Sequence, residues 1–199
     1  MDILIPCKSL DAGKSRLSNC LDNGSRRSLC KQLLTTSLKK ALSMAPPTQV
    51  HIVTADPEAI IIAAQLGIGA LHDSGGGLNA ALEVSRNILL TATKGKSALL
   101  TLPIDLPYAS ADAIGNVIAC AGEVVIAPDE IGTGTNLLLL RHAALQHLPF
   151  CYGPNSAMAH HKAARSLGLD VAIVKDRRLA FDVDGPAQYA AWRAQEVAP

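Results

Sequence analysis

The sequence predicts an α/β fold built on a mostly parallel, doubly wound sheet. Three observations lead there. Short apolar runs alternate with longer stretches of helical spacing along almost the whole chain. The interior has to be aliphatic, because hydrophobic residues make up 49% of the chain and aromatics only 3%, a composition suited to helices covering a buried parallel sheet. Loops rich in glycine, lysine or aspartate follow several of the apolar runs, where ligands bind in such sheets.

Taken in order, Ile3-Leu4-Ile5 reads as a first buried strand ending at Pro6, and a loop runs from Cys7 to about Asn23. Ser25 to Ser43 places Leu29, Leu33, Leu34, Leu38 and Leu42 at helical spacing, and Pro46-Pro47 stops it. Val50 to Val53 is a second strand. Asp56 can cap a helix with Pro57 at its first position, running to Leu66 and closed by Gly67. Ala70 to His72 is a short third strand, and Leu78 to Leu90 a helix after Gly75-Gly76-Gly77. Ser97 to Leu102 is a strongly apolar strand leading into Pro103-Ile104-Asp105-Leu106-Pro107. Beyond it come a helix at Ser110 to Cys120 and strands at Val124 to Ala127 and Asn136 to Leu140. A helix at Ser156 to Leu167, a strand at Val171 to Val174 and a helix at Pro186 to Gln195 complete the order. The section after Pro128 is less regular. With 199 residues and no linker or repeat, a single domain over residues 1–199 is expected.

Several function classes are excluded by bulk properties. The net charge is +1 and no basic block exists, so neither nucleic acid nor an anionic membrane is an expected partner. No apolar run approaches the roughly 20 residues that span a bilayer. Asp2 and Lys8 come too early for a signal peptide, so a cytoplasmic location is expected. The five cysteines (Cys7, Cys20, Cys30, Cys120, Cys151) form no C-x-x-C pair and read as reduced, packed thiols.

The chemistry lies in five loops. Lys8, Lys14 and Arg16, with Gly13 and Ser15 between them, could surround a polyphosphate at the end of the first strand. Gly13-Lys14-Ser15 is not a P-loop, because that motif needs a glycine where Lys8 stands. Asp105, directly after the most apolar strand, could hold Mg²⁺, which takes one or two protein carboxylates plus substrate phosphates. In Asp182-Val183-Asp184, an extended chain sends the two carboxylates to opposite sides. One would then meet the metal while the other caps the last helix. Gly132-Thr133-Gly134-Thr135-Asn136 and Tyr152-Gly153-Pro154-Asn155-Ser156 offer hydroxyls, mobile-backbone glycines and a helix N-terminus to an anion. Asn79, in the first turn of a helix, could bond a base or ribose. His160-His161 lacks a third ligand at metal spacing and reads as a phosphate or surface feature at most.

Together these segments resemble a known family. P-x-K-x-x-x-x-x-K-S-R-L from Pro6, G-L-N-A-A-L from Gly77 and D-L-P from Asp105 are followed by P-D-x-x-G-T-G-T-N from Pro128. Y-G-P-N-S-x-x-x-H from Tyr152 and D-V-D-G-P from Asp182 complete the set. The pattern is similar to that of the 2-phospho-L-lactate guanylyltransferases, which serve biosynthesis of the deazaflavin coenzyme F-420. The resemblance implies a GT-A-like nucleotide-diphospho-sugar transferase (nucleotidyltransferase) fold. It also implies GMP transfer from GTP to 2-phospho-L-lactate, phosphoenolpyruvate or 3-phospho-D-glycerate, with release of pyrophosphate. By the same resemblance Lys8, Gly13, Lys14, Ser15 and Arg16 hold the GTP phosphates and Asn79 lies beside the nucleoside. Lys14, Arg16 and Asp105 would be catalytic, with Asp105, Asp182 and Asp184 on Mg²⁺. Thr133, Thr135, Gly153 and Ser156 would contact the acceptor. Gly185 departs from the family's usual D-I-D-T-P, which carries threonine there.

Such a reaction needs no covalent intermediate, since the acceptor phosphate is already an anionic nucleophile. Positioning and charge neutralisation suffice, in keeping with cationic and glycine-rich loops and no Ser-His-Asp set. The competing readings are a molybdopterin guanylyltransferase or sugar-nucleotide transferase of the same fold, and a non-catalytic nucleotide-binding domain. The first usually opens on a glycine-rich L-A-G-G-x-S-x-R-M-G loop, absent here. Whether the chain forms a homodimer is open at this level.

Overall fold

The computed structural model describes residues 1–93 and 98–196. Seven strands form one sheet: β1 (Asp2–Pro6), β2 (Val50–Thr54), β3 (Gly69–His72), β4 (Leu99–Thr101), β5 (Val124–Pro128), β6 (Thr135–Leu140) and β7 (Val171–Ile173). The helices are α1 (Asn23–Leu42), α2 (Pro57–Gln65), α3 (Leu78–Thr93), α4 (Ala111–Ala119), α5 (His142–His147), α6 (Ser156–Ser166), α7 (Arg177–Ala180) and α8 (Pro186–Glu196).

The strand order is β3-β2-β1-β4-β6-β5-β7. β1 pairs in parallel with β2 and β4, β2 with β3, and β5 with β7. β6 runs antiparallel to both β4 and β5. The irregular section after Pro128 is therefore a reversal: the loop at Asp129–Gly134 folds the chain back and slots β6 between β4 and β5. The expected start of the fourth strand at Ser97 lies outside the described residues. Sequence reasoning missed α5 and α7, which span only 6 and 4 residues and are too short to show a periodic signal.

Alternation along the strands builds a core on each face of the sheet. Ile3 and Ile5 point to one face, with Leu34 and Leu38 of α1, Ala59 and Ala63 of α2, and Ile114 and Val117 of α4. Leu4 points to the other, with Leu82 and Leu89 of α3, Leu145 of α5 and Ala164 of α6. A third, smaller cluster joins Leu17, Leu29 and Leu33 to Val183 and Trp192. It brings the C-terminal segment against the N-terminal loop.

Local chemistry sets the helix starts. The Asp22 carboxylate accepts from Ser25 N–H and caps α1. Asp56 caps α2 through Glu58 N–H and Ala59 N–H, with Pro57 at the first position. Its other oxygen takes Leu10 N–H at 2.8 Å, so the same side chain anchors the loop after β1. Gly67, at φ 73, ends α2 where a left-handed residue is needed.

Candidate active site

β1 lies between β2 and β4, the point at which neighbouring crossovers diverge and ligands bind outside the strand ends. A cleft of about 450 Å³ opens there, lined by Lys8, Lys14, Arg16, Pro103, Asp105 and Asp184 among others. The loop after β1 is fixed at several points. Cys7 N–H donates to Val53 C=O at 2.9 Å, Leu10 and Leu17 are fully buried, and Arg26 of α1 donates to the Gly13 carbonyl at 3.1 Å.

Gly13 lines the cleft and also answers a packing need. A Cβ there would lie 2.7 Å from the Cys30 sulfur. The next residue, Lys14, is in the left-handed region at φ 51, uncommon for a side chain of this size. That turn aims the ammonium into the cleft. Ser15 begins a 3-10 turn over Ser15–Leu17 and, like Lys8 and Arg16, stays exposed.

The Lys14 ammonium bonds Asp105 Oδ2 and Asp184 Oδ1, each at 2.8 Å, and its side chain is only 7% exposed. Arg16 lies 3.5 Å from the other Asp184 oxygen and is 77% exposed, so it remains available to a ligand. Burial alone would pull the Lys14 ammonium down, but the Asp105 and Asp184 charges outweigh it and hold it above the ordinary lysine value. Burial likewise opposes ionisation of Asp184, and Lys14 followed by Arg16 holds its carboxyl below the usual range. Asp182 is pushed up to about 6 by burial and by the negative charges of Asp105 and Asp184. The three aspartates foreseen as metal ligands thus share one electrostatic neighbourhood. Asp184 is the member of the Asp182/Asp184 pair that meets the lysine. Among the described residues no three His, Cys, Asp or Glu side chains converge closely enough to enclose a metal by themselves.

The donor set still fits Mg²⁺. Two carboxylate oxygens already converge on one cationic atom, and this metal completes its shell from substrate phosphates and water. The cysteines offer no nucleophile here: burial pushes the Cys7 thiol up to about 12 and raises Cys30 as well.

The remaining foreseen residues divide into two groups. Thr133 and Gly153 are exposed, and Ala157 N–H donates to Thr133 C=O at 3.0 Å, so the β5–β6 loop and the start of α6 are neighbours. Thr135 and Ser156 are buried, at 8% and 3% exposure. The Thr135 hydroxyl faces His160 Nδ1 at 3.0 Å. His160 is fully buried, and its Nε2 accepts from Cys151 N–H at 2.8 Å. The proton therefore sits on Nδ1 and is donated to Thr135. Burial drives this imidazole down to about 4. Far from a surface feature, His160 is a neutral internal brace.

The Asn79 amide donates to Tyr152 C=O at 2.9 Å and accepts from Tyr152 N–H at 2.8 Å, and so clamps the loop before α6. The residues missed entirely are Arg26, Ser37 and Lys40, which donate to backbone carbonyls of the site loops. Their signal was visible in principle, as polar side chains on or beside the leucine stripe of α1.

A larger groove of about 790 Å³ lies beyond Tyr108 and Phe181, whose rings stand 5.0 Å apart. Asp129, Glu130 and Asp176 line it together with Lys175, Arg177 and Arg178. Arg178 is already paired with Asp176. Mixed charge and an occupied arginine make it a poorer polyphosphate site than the smaller cleft, where cations and carboxylates converge.

Known proteins resemble this chain in sequence and in fold. A phosphoenolpyruvate guanylyltransferase of Rubrobacter xylanophilus is 38% identical over 190 residues, covering 94% of this chain and 90% of that protein. A nucleotidyl transferase from Methanothermobacter thermautotroptrophicus superposes with a TM-score of 0.66 at 14% identity, over 98% of this chain and 97% of that one. CMP:2-keto-3-deoxy-manno-octonic acid synthetase, solved with CTP, gives 0.61 at 15% identity, over 98% and 99%. Both likenesses show that this chain shares their fold. The sequence model of the family described as guanylyl transferase CofC-like matches residues 1–190, and this chain belongs to that family of nucleotidyltransferases.

Proposed function

We propose that the chain transfers the GMP moiety of GTP to a small phosphorylated three-carbon acid and releases pyrophosphate. Phosphoenolpyruvate is the first candidate acceptor, because relatives across most of the chain carry that name. 2-Phospho-L-lactate and 3-phospho-D-glycerate are the alternatives, and coenzyme F-420 biosynthesis in the cytoplasm is the setting. The observation that carries the reading is the convergence of Asp105 and Asp184 on Lys14 in the cleft at the ends of β1 and β4.

In this mechanism Lys8, Lys14 and Arg16 bind the triphosphate. An acceptor phosphate oxygen attacks the α-phosphorus, the bond from that phosphorus to the bridging oxygen breaks, and pyrophosphate leaves. Asp105 and Asp184, with Asp182 beside them, would hold Mg²⁺. When bound, that ion supplies charge neutralisation at the phosphoryl oxygens. Thr133 and Gly153, exposed on adjoining loops, meet the acceptor. Thr135 and Ser156 support those loops from beneath. No side chain has to act as base, since the attacking oxygen is already ionised.

Pyrophosphate release should be measured with each of the three acids against GTP, ATP, CTP and UTP, with and without Mg²⁺. Turnover with GTP and one acid, lost on chelation, is expected. Failure of every pair would sink the reading.

A further inference from the structure

The turn that carries Asp105 is poor in donors, because Pro103 and Pro107 flank it and proline has no N–H. Four successive carbonyls in it nevertheless have partners. Ile104 C=O accepts from the Ser37 hydroxyl at 3.2 Å, and Asp105 C=O from Val183 N–H at 3.0 Å. Leu106 C=O and Pro107 C=O both accept from the Lys40 ammonium, at 2.8 and 2.9 Å. Lys40 is half-buried, and among the described residues no carboxylate pairs with it. A cation placed there without a counter-ion is unfavourable unless its hydrogen bonds do something apolar packing could not.

We infer that Lys40 is a positioning residue for the transfer reaction: its ammonium locks the two carbonyls after Asp105 and so sets the direction of the Asp105 carboxylate. Burial pulls that ammonium down to about 8, as befits a cation held by carbonyl dipoles alone. The same helix steadies the opposite wall through Arg26 and Gly13 C=O. α1 therefore registers the triphosphate loop against the carboxylate turn. The inference rests on the guanylyl-transfer reading for its kinetic consequence, but the clamp itself can be read without substrate.

The test compares Lys40→Met, Lys40→Arg and, as a control on the exposed face of α1, Lys39→Met. With GTP, Mg²⁺ and the acceptor found by the screen, Lys40→Met should lower kcat by about 10- to 100-fold, the scale of a small misplacement of a reacting group. KM for GTP should stay within about threefold, because Lys8, Lys14 and Arg16 sit on another segment. Lys40→Arg should recover most of the loss. Independently of turnover, amide hydrogen exchange at Val183, whose N–H is held by Asp105 C=O, should accelerate in Lys40→Met and not in Lys39→Met. An unchanged kcat in folded Lys40→Met, or a loss that arginine does not recover and that follows the fall in melting temperature, would overturn the inference. So would unaltered exchange at Val183. Inactivity of the unsubstituted protein with every substrate pair would count against the guanylyl-transfer reading, and the exchange measurement would still decide the clamp.

Discussion

Lys14 stands between the two carboxylates that, in the proposed mechanism, would hold Mg²⁺. Its ammonium bridges Asp105 and Asp184. Two consequences separate. Lys14→Met should lower kcat/KM for GTP by about 10²- to 10³-fold, the range for removing one group that stabilises developing charge. The same variant should bind Mg²⁺ more tightly than the parent when nucleotide is absent, because an internal competitor is gone. Calorimetric titration of both proteins with Mg²⁺ alone checks this, and weaker binding in the variant would contradict it. A second residue-scale consequence concerns His160. Its ordinary value near 6.5 falls to about 4 in the folded chain. The unfolded chain therefore takes up this proton first, and stability is lost as pH drops from 6.5 towards 4. Between about pH 6.5 and pH 5 the loss should reach roughly 2 kcal/mol. Urea unfolding across that range should show a flatter slope for His160→Gln. The role of His160 was not legible beforehand: a histidine pair beside a helix start carries no mark of which ring is buried, and burial decides the outcome.

At the scale of elements, the two helices next to β1 have different duties. α2 begins on Asp56, whose oxygens cap the helix and hold Leu10 at once. Asp56→Ala should destabilise the protein by about 1–2 kcal/mol, the range of a lost cap, and also raise KM for GTP, which a remote cap of equal worth would not do. α1 presses Cys30 against Gly13. Gly13→Ala should therefore weaken GTP binding, and Cys30→Ala in the same chain should relieve it, a coupling that a double-mutant cycle on KM would measure. The cap at Asp56 could be read from the order Asp-Pro before an apolar pattern. The Gly13–Cys30 contact could not, because it joins a loop to a helix face whose register is fixed only by packing. Strand positions were equally legible, whereas the direction of β6 was not. An apolar run tells that a strand is buried, and the reversing loop alone tells which way it runs.

Over the whole molecule, the site is assembled from distant stretches of chain. Asp105 follows the central strand β4, while Asp184 arrives on the last connection, held by Val183 and Trp192 in the small cluster with Leu17, Leu29 and Leu33. Trp192→Ala should cost about 3 kcal/mol or more and should reduce turnover further than a Leu145→Ala change of similar cost on the opposite face. Parallel measurement of unfolding and pyrophosphate release separates the two effects. The ordered motifs along the sequence were enough to name the family. They could not reveal the bracing by Asn79 and His160, because which groups those side chains reach is fixed only by packing.

The seam between Lys14 and Asp184 has one further consequence. A ligand lying across it ties the first loop of the chain to its last helix, so occupancy acts as a reversible staple on the tail. Opening of α8 requires that ligand to leave, and each tenfold excess of free ligand over its dissociation constant adds about 1.4 kcal/mol against opening. A protease cutting near α8 should therefore be slowed by GTP with Mg²⁺ in proportion to their concentration, while cleavage at the far edge by β3 proceeds unchanged.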